Sequence, residues 1–155
     1  MSGYIMGLRA LVGHRPLMLV GASVIVVDKD NRMLLQKRAD NGCWAYAGGS
    51  VELYERVEDA AKRELFEETG LHAQSLTLYG VFSGPESHYV YPNGDDVSCV
   101  DIVYLCRDYQ GALTPQADEV TDLQFFAPDA LPEPLSPPVS RVIKKCAHDL
   151  LARRI

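Results

Sequence analysis

The sequence predicts an α+β fold in which a mixed β-sheet is covered by helices on both faces. Residues 17–27 are rich in β-branched side chains and are bounded by turn formers, a pattern typical of a strand. Residues 57–69 have helical character and are followed by Gly70, the residue type preferred just after a helix. The predicted elements run in the order strands, helix, strands, helix, which favours a layered architecture of sheet and helices.

The remaining elements follow from local patterns. Apolar residues recur at roughly helical spacing over residues 4–13, which predicts a short helix. Residues 33–37 are expected to be the hairpin partner of the strand at 17–27, because a polar turn, residues 28–32, separates them. The later predicted elements are three strands of one meander at 76–82, 89–91 and 97–105, a strand at 120–126 and an amphipathic C-terminal helix at about 139–153.

Composition and charge restrict the class of protein. The chain has 155 residues, of which 47% are hydrophobic and 23% charged, so we expect one globular domain over residues 1–155 with a short N-terminal segment at 1–15. The formal net charge of −6 argues against long nucleic acid and anionic membranes as partners. The longest apolar run, 17–27, is too short to span a bilayer. Four cysteines without paired spacing are expected to be reduced thiols of a cytoplasmic protein.

The densest group of charges lies in residues 52–68, which contain seven acidic and three basic side chains. On a helix, Glu64, Glu67 and Glu68 fall at positions i, i+3 and i+4 and therefore on one face. Three like charges on one stripe destabilise a helix unless a cation neutralises them, and Mg²⁺ prefers carboxylate and water oxygens. The alternative is a solvated acidic face, which is the commoner meaning of a charge cluster.

The spacing around this cluster favours the metal site over the solvated face. Residues 49–71 match at every position the pattern G-x5-E-x7-R-E-U-x-E-E-x-G-U, where U is a bulky aliphatic residue. A chance match is on the order of one in a million. The chain therefore resembles the MutT-like Nudix hydrolases, and residues 49–71 are called the Nudix box below. The resemblance implies an α/β/α sandwich with a mixed sheet, in which the box forms a loop–helix–loop.

The resemblance implies a set of metal ligands. The glutamates that coordinate Mg²⁺, with Mn²⁺ as a substitute, fall on Glu64, Glu67 and Glu68. A backbone carbonyl of the Gly-Gly pair, expected to be that of Gly48, is a further ligand. An additional acid on a loop after the box best matches Glu119. Either Glu68 or Glu119 is the candidate general base that accepts the proton of the attacking water.

Other residues acquire roles from the same resemblance. The ion pair that fixes the loop of the box falls on Glu55 and Arg63. A phosphate-contacting arginine at the end of the second strand falls on Arg38. A pyrophosphate is a polyanion that repels hydroxide, so cations must neutralise it and lower the pKa of the attacking water. The expected arginine contact to phosphate and the expected metal site therefore both serve the hydrolysis of a pyrophosphate.

The implied activity is Mg²⁺-dependent hydrolysis of the diphosphate in a nucleoside diphosphate linked to another moiety. Candidate substrates are nucleotide sugars such as ADP-ribose, dinucleoside polyphosphates and nucleoside triphosphates. Trp44 and Tyr89, together with Phe82 and Tyr91, offer ring faces for a base, although aromatic residues in strands are more often core residues. Pro85 lies at a position associated with ADP-ribose pyrophosphatases, whereas Tyr89 is near one associated with dinucleoside polyphosphate hydrolases. The two positions favour different substrates.

Two other functions are compatible with the resemblance. One is a non-catalytic module that senses a nucleotide or nucleotide sugar, but such modules usually lose glutamates of the box, and this box is complete. The other is an enzyme acting on capped RNA, which the ten acids and one arginine of residues 69–139 disfavour. The expected partner is thus a small nucleotide, with no long nucleic acid and no membrane. Strands at a sheet edge make a homodimer reasonable.

Overall fold

The helices and strands follow the predicted order. The computed structural model describes residues 3–155, and within that range it contains three α-helices, one short 3-10 helix and ten strands. The expected bounds of the first and last helices agree with the observed ones to within two residues. The elements are α1 Gly3–Val12, β1 Leu17–Val26, β2 Met33–Arg38, β3 Trp44–Ala45, β4 Ala47–Ser50, α2 Val57–Thr69, β5 His72–Ala73, β6 Thr77–Phe82, the 3-10 helix Pro85–Ser87, β7 His88–Val90, β8 Asp96–Cys106, β9 Tyr109–Gln110, β10 Val120–Phe126 and α3 Pro137–Leu151.

Strand β1 is central to the largest sheet, whose order is β4-β1-β8-β6 with β7 also paired to β8. It pairs antiparallel with β4 and parallel with β8, so Ser23 lies opposite both Gly48 and Val103. The expected meander is wrong in one respect. Strands β7 and β8 form the predicted hairpin, but β6 also pairs with β8, at residues 101–105, and not with β7. The 3-10 helix between β6 and β7 carries the chain along the same edge of β8.

The expected hairpin between residues 17–27 and 33–37 is wrong. Strand β2 pairs with β10 and β3 in a separate sheet, and an isolated bridge between Val27 and Met33 joins it to the end of β1. The physical reason is burial on both faces of β2. Met33 and Leu35 pack in one core cluster and Leu34 in the other. The remaining strands, β5 and β9, form a two-stranded antiparallel ribbon.

Alternate side chains of β1 and β8 face two different helices. Ile25 and Val103 belong to the core that contains residues of α3, whereas Val24 and Tyr104 belong to the core that contains residues of α2. This alternation follows from the period of two along a strand. It places α2 and α3 on opposite faces of the sheet, which confirms the predicted α+β sandwich with a mixed sheet.

The N-terminal helix is fastened to the β7–β8 hairpin by a buried arginine. Arg9 is 7% exposed, and its Nη1 donates to the carbonyls of Gly13 and Arg15 at 3.1 and 2.6 Å. Its Nη2 donates to the carbonyl of Asp96 at 2.6 Å, and its Nε lies 3.6 Å from the Asp95 carboxylate. Within residues 3–155, none of the helices is both long and apolar enough to cross a membrane.

Candidate active site

The Nudix box folds as a loop, the helix α2 and a second loop. The helix ends at Gly70, whose φ of 77° lies in the left-handed region that favours glycine, and the Gly70 N–H donates to the carbonyl of Phe66. At the other end of the box, a Cβ on Gly49 would collide with the carboxylate of Glu64. Glycine at this position therefore lets α2 bring its acidic face directly against strand β4.

A bidentate ion pair holds the loop that precedes α2. Arg63 Nε donates to Glu55 Oε1 at 2.7 Å, and Arg63 Nη2 donates to Glu55 Oε2 at 2.9 Å. Glu55 Oε2 also accepts the backbone N–H of Glu52 at 3.0 Å, and Arg63 Nη2 reaches the carbonyl of Ser50 at 3.3 Å. The hydrogen bond from Arg63 lowers the pKa of Glu55 and raises that of the guanidinium. The ion pair thus ties the loop before α2 to the helix, with further hydrogen bonds from the loop backbone to Glu55 and from Arg63 to the loop.

The same guanidinium reaches the acidic face of α2. Arg63 Nη1 donates to Glu64 Oε1 at 2.6 Å and to Glu67 Oε2 at 3.3 Å. Burial raises the pKa of Glu64, with Arg63 acting in the opposite direction. The Glu67 side chain is 48% exposed and lies at the rim of the site. Arg63 consequently offsets part of the repulsion between these two neighbouring carboxylates.

Glu68 is the most buried carboxylate of the box, at 6% exposure. Its Oε2 accepts two hydrogen bonds of 2.9 Å, one from Gln36 Nε2 and one from the backbone N–H of Gly48. Burial raises the pKa of Glu68 to about 8; the two hydrogen bonds oppose this effect, and the charges of Glu64 and Glu119 add to it. The environment therefore holds the side chain in place while disfavouring its charge.

The four carboxylates predicted as metal ligands line one cavity of about 570 Å³. Glu119 enters it from the segment before β10, where its backbone carbonyl accepts the N–H of Ala39 at 2.9 Å. The charge of Glu119 raises the pKa of both Glu64 and Glu68. The lining includes Gln36, Arg38, Asp40, Gly48, Gly49, Ser50, Glu52, Arg63, Glu64, Glu67, Glu68, Tyr91, Gln116, Asp118 and Glu119.

This donor set fits a hard divalent cation. Carboxylate and carbonyl oxygens are its usual ligands, and a cation would relieve the like charges that face Glu68. In their present rotamers, no three His, Cys, Asp or Glu side chains within residues 3–155 are grouped for metal binding. Arg63 draws Glu64 and Glu67 toward itself instead. The residues fit a cation once these two carboxylates turn from the guanidinium into the cavity.

Arg38 lines the same cavity. Its Nε and Nη2 donate to the two carboxylate oxygens of Asp40 at 2.9 and 2.7 Å. The hydrogen bond with Asp40 raises the pKa of Arg38 and lowers that of Asp40. The side chain of Arg38 is 34% exposed, so its unused N–H groups remain open to an anionic ligand. The arginine predicted to contact phosphate thus lines the same cavity as the four glutamates.

The aromatic residues named from the sequence are divided between site and core. Trp44 is buried, packs edge-on against Phe126 with ring centroids 4.9 Å apart, and lies in the core against α3. The structure does not bring Trp44 to the cavity, and its burial is the physical reason. Tyr89 lines a smaller cavity of about 150 Å³, where Tyr91 packs edge-on against it at 5.0 Å. Tyr91 lines both cavities and therefore stands where they join.

Two residues at the site were not identified from the sequence. Gln36 orients Glu68, and the only signal available was a polar residue within the apolar strand β2. Asp101 lies buried in the smaller cavity, where it accepts hydrogen bonds from Ser23 and Tyr46. Its signal was a single acid inside the apolar run of β8. Both are buried polar residues adjacent to core residues of their strands.

Comparison with known proteins agrees with the family resemblance that the sequence carries. The family model for the NUDIX domain matches residues 18–146. An ADP-ribose pyrophosphatase from Methanocaldococcus jannaschii is 39% identical over 70% of this chain, and an NAD-capped RNA hydrolase NudC from Haemophilus influenzae is 31% identical over 90% of it. The chain spans 62% and 51% of the lengths of these two relatives. A crystal structure of a MutT NUDIX hydrolase from Burkholderia pseudomallei is 32% identical, with a TM-score of 0.70 over 85% of this chain and 97% of that one.

Proposed function

This chain belongs to the Nudix hydrolase family, and from that premise we propose that it is a pyrophosphohydrolase that depends on a divalent cation, Mg²⁺ or Mn²⁺. It cleaves the diphosphate of a nucleoside diphosphate linked to another moiety. The observation that carries this proposal is the convergence of Glu64, Glu67, Glu68 and Glu119 on one cavity beside Arg38. Such a cavity offers carboxylates for cations at one side and a guanidinium for phosphate at the other.

The cation site uses residues with different mobility. Glu68 is fixed by its hydrogen bonds from Gln36 and Gly48, whereas Glu67 is 48% exposed and accepts a longer bond of 3.3 Å from Arg63. The Gly48 carbonyl and the Glu64 carboxylate complete the proposed ligand set. When bound, the cation supplies neutralisation of the diphosphate charge and a lowered pKa of the attacking water.

Glu119 is our candidate for the general base. Glu68 has one oxygen occupied by two donors and is almost fully buried, which suits a ligand that must not move. Glu119 is exposed and comes from a different segment, so its carboxylate can approach a water molecule from the side opposite α2. A positioned base contributes roughly 10²–10⁴ in rate.

Arg38 and the Glu55–Arg63 ion pair position the reacting groups. Arg38 binds a phosphate oxygen while Asp40 holds its guanidinium plane in place. Arg63 keeps the loop against α2 through Glu55, and so fixes the backbone from which the cation site is built. These residues act by orientation and charge, which is the larger part of catalysis in phosphoryl transfer.

A substrate panel with the purified protein tests the proposal. It comprises ADP-ribose, other nucleotide sugars, dinucleoside polyphosphates, nucleoside triphosphates and NAD, each with Mg²⁺, with Mn²⁺ and with a chelator. ADP-ribose comes first because a relative with 39% identity is named for it. We expect cation-dependent release of a nucleoside monophosphate. Nucleotide binding without cation-dependent hydrolysis of any substrate would instead identify a sensor module.

Two variants separate the roles of the glutamates. Glu119→Gln is expected to lower kcat by at least about 100-fold while the affinity for Mn²⁺ changes little, because a base is lost and most ligands remain. Glu68→Gln is expected to weaken Mn²⁺ binding as well as kcat. A loss of less than about tenfold in Glu119→Gln would contradict the assignment of the base.

A further inference from the structure

The smaller cavity is lined by aromatic and aliphatic residues around a polar floor. Tyr89 and Tyr91 contribute ring surface, and Pro138 and Val139 at the start of α3 contribute aliphatic surface. The floor contains Asp101, which is 9% exposed. Flat apolar walls around a few fixed polar groups are typical of a pocket for an aromatic ring.

The hydrogen-bond network of the floor fixes the direction of each hydroxyl group. Ser23 Oγ donates to Asp101 Oδ1 at 2.7 Å, and the Tyr46 hydroxyl donates to Asp101 Oδ2 at 2.8 Å. A hydroxyl group has one hydrogen, so both hydrogens are used by the carboxylate. The lone pairs of the two hydroxyl oxygens and of the Asp101 carboxylate remain available to a ligand. Asp101, Ser23 and Tyr46 can therefore accept hydrogen bonds but have no O–H left to donate.

The backbone around the floor is built to hold this arrangement. A Cβ on Gly21 would lie 3.0 Å from Asp101 Oδ1, and a Cβ on Gly48 would collide with Ser23. The two glycines thus make room for the carboxylate and the hydroxyl. Gly48 also donates its N–H to Glu68 in the neighbouring cavity. The floor of the smaller cavity and the proposed cation site consequently meet at Gly48 on strand β4.

We propose that Asp101, through Ser23 and Tyr46, is a specificity-determining residue that selects an aromatic base carrying an exocyclic amino group. This inference rests on the proposed function and deepens it. The base lies against the aromatic and aliphatic lining, and the amino group donates to the acceptors of the floor. The diphosphate then extends past Arg38 to the glutamates, since Arg38 and Gly49 line both cavities.

A base with a carbonyl oxygen in place of the amino group is disfavoured. At the group of Asp101, Ser23 and Tyr46 its oxygen would meet acceptors only, and a buried acceptor without a donor carries a desolvation penalty. Sites built to hydrogen-bond one polar group discriminate strongly against analogues that lack it. Adenine and hypoxanthine differ in this group and in the proton on the adjacent ring nitrogen, which makes them a closely matched pair of probes.

The experiment compares kcat/KM for ADP-ribose and for its hypoxanthine analogue, IDP-ribose, with the full chain and Mg²⁺. We expect ADP-ribose to be preferred at least tenfold. In Asp101→Asn the amide N–H₂ donates to one hydroxyl oxygen and frees that hydroxyl's hydrogen for the substrate. This variant should therefore reduce the preference to within about threefold of unity by raising the use of IDP-ribose relative to ADP-ribose.

Two further variants guard against a merely structural effect. Tyr46→Phe leaves Asp101 Oδ2 open as an acceptor and should retain the preference, as should Cys99→Ala in the wall of the same cavity. Circular dichroism checks that each variant is folded. Equal use of the two substrates by the wild type, or an unchanged ratio in Asp101→Asn, would overturn the proposal. Lack of hydrolysis of every substrate would count against the proposed function itself, because the ratio requires a working enzyme.

Discussion

Replacing Glu68 by glutamine should make the metal-free protein more stable in alkaline solution while removing its activity. Burial raises the pKa of Glu68 to about 8 in the folded protein, against an ordinary value of 4.5. An acid whose pKa is raised by folding binds its proton more tightly in the folded state than in the unfolded one. Stability is therefore unaffected below about pH 4.5, falls as the pH rises, and reaches its minimum above about pH 8.

The size of the effect follows from the same two values. Each pH unit between them corresponds to about 1.4 kcal/mol, so the ionised Glu68 costs the folded protein at most roughly 5 kcal/mol. Glutamine keeps an acceptor oxygen for the N–H groups of Gln36 and Gly48 but carries no charge. Its stability should consequently lack this dependence on pH. A cation bound at the proposed site would offset this penalty in the wild type only, since Glu68→Gln has no carboxylate charge at this position.

Urea unfolding in the presence of a chelator measures this difference. At about pH 5 the wild type and Glu68→Gln should differ by less than about 1 kcal/mol, and at about pH 9 the variant should be more stable by several kcal/mol. Glu67→Gln is the matched control, because it removes the same charge from the same helix at a position that is 48% exposed. Addition of Mg²⁺ at about 100 times its Kd should stabilise the wild type by about 2.7 kcal/mol and Glu68→Gln by less. A difference between the variant and the wild type that is independent of pH would refute the reasoning.

Three other perturbations probe the ion pairs. Glu55→Gln should lower kcat about tenfold but the free energy of unfolding by only about 1 kcal/mol, because the loop loses a partly solvated ion pair with Arg63. Equal losses in an Arg63→Lys variant would agree with this explanation, and an unchanged kcat would contradict it. Arg9→Met should lower the free energy of unfolding in urea by about 3 kcal/mol, since three carbonyls lose a charged donor. A loss below about 1 kcal/mol would show that α1 is held by its apolar contacts alone. Hydrogen bonds from Lys145 and Tyr79 lower the pKa of Asp149 to about 2, so the stabilisation by Asp149 is present above about pH 4 and is lost as the pH falls toward 2. In Asp149→Asn the melting temperature should depend less on pH over this range. A wild-type melting temperature that does not change between about pH 4 and about pH 2 would contradict the assignment.

The sequence was a good guide to which segments are helices and strands and a poor one to which strands pair. Local patterns determine the former, as for α2, whose end at Gly70 was predicted from the residue type. Pairing depends on tertiary contacts. The polar turn at 28–32 suggested a hairpin, but burial of Met33 and Leu35 against α3 and of Leu34 on the other side places β2 in a different sheet.

For the candidate site too, the sequence predicts contacts within one segment but not contacts between distant segments. The contact between Glu55 and Arg63 and the shared face of the three box glutamates follow from spacing within one segment. The partners of Glu68 do not, because Gln36 lies on a distant strand and its single amide has no local pattern. Aromatic type alone also fails to separate site from core, since Trp44 fills the interior whereas Tyr91 faces the cavities.

The parallel pairing of β1 with β8 has a consequence for how the chain is made. Leu17 pairs with Val97 and Val26 with Cys106, so residues 80 positions apart in the sequence lie side by side. Pairings this distant must close a long loop and form slowly. During synthesis the whole Nudix box leaves the ribosome before β8 does, at a time when β1 still lacks one neighbour. A truncated or stalled chain that contains every glutamate of the box therefore exposes the edge of β1, which makes it a target for aggregation or proteolysis rather than a partial enzyme.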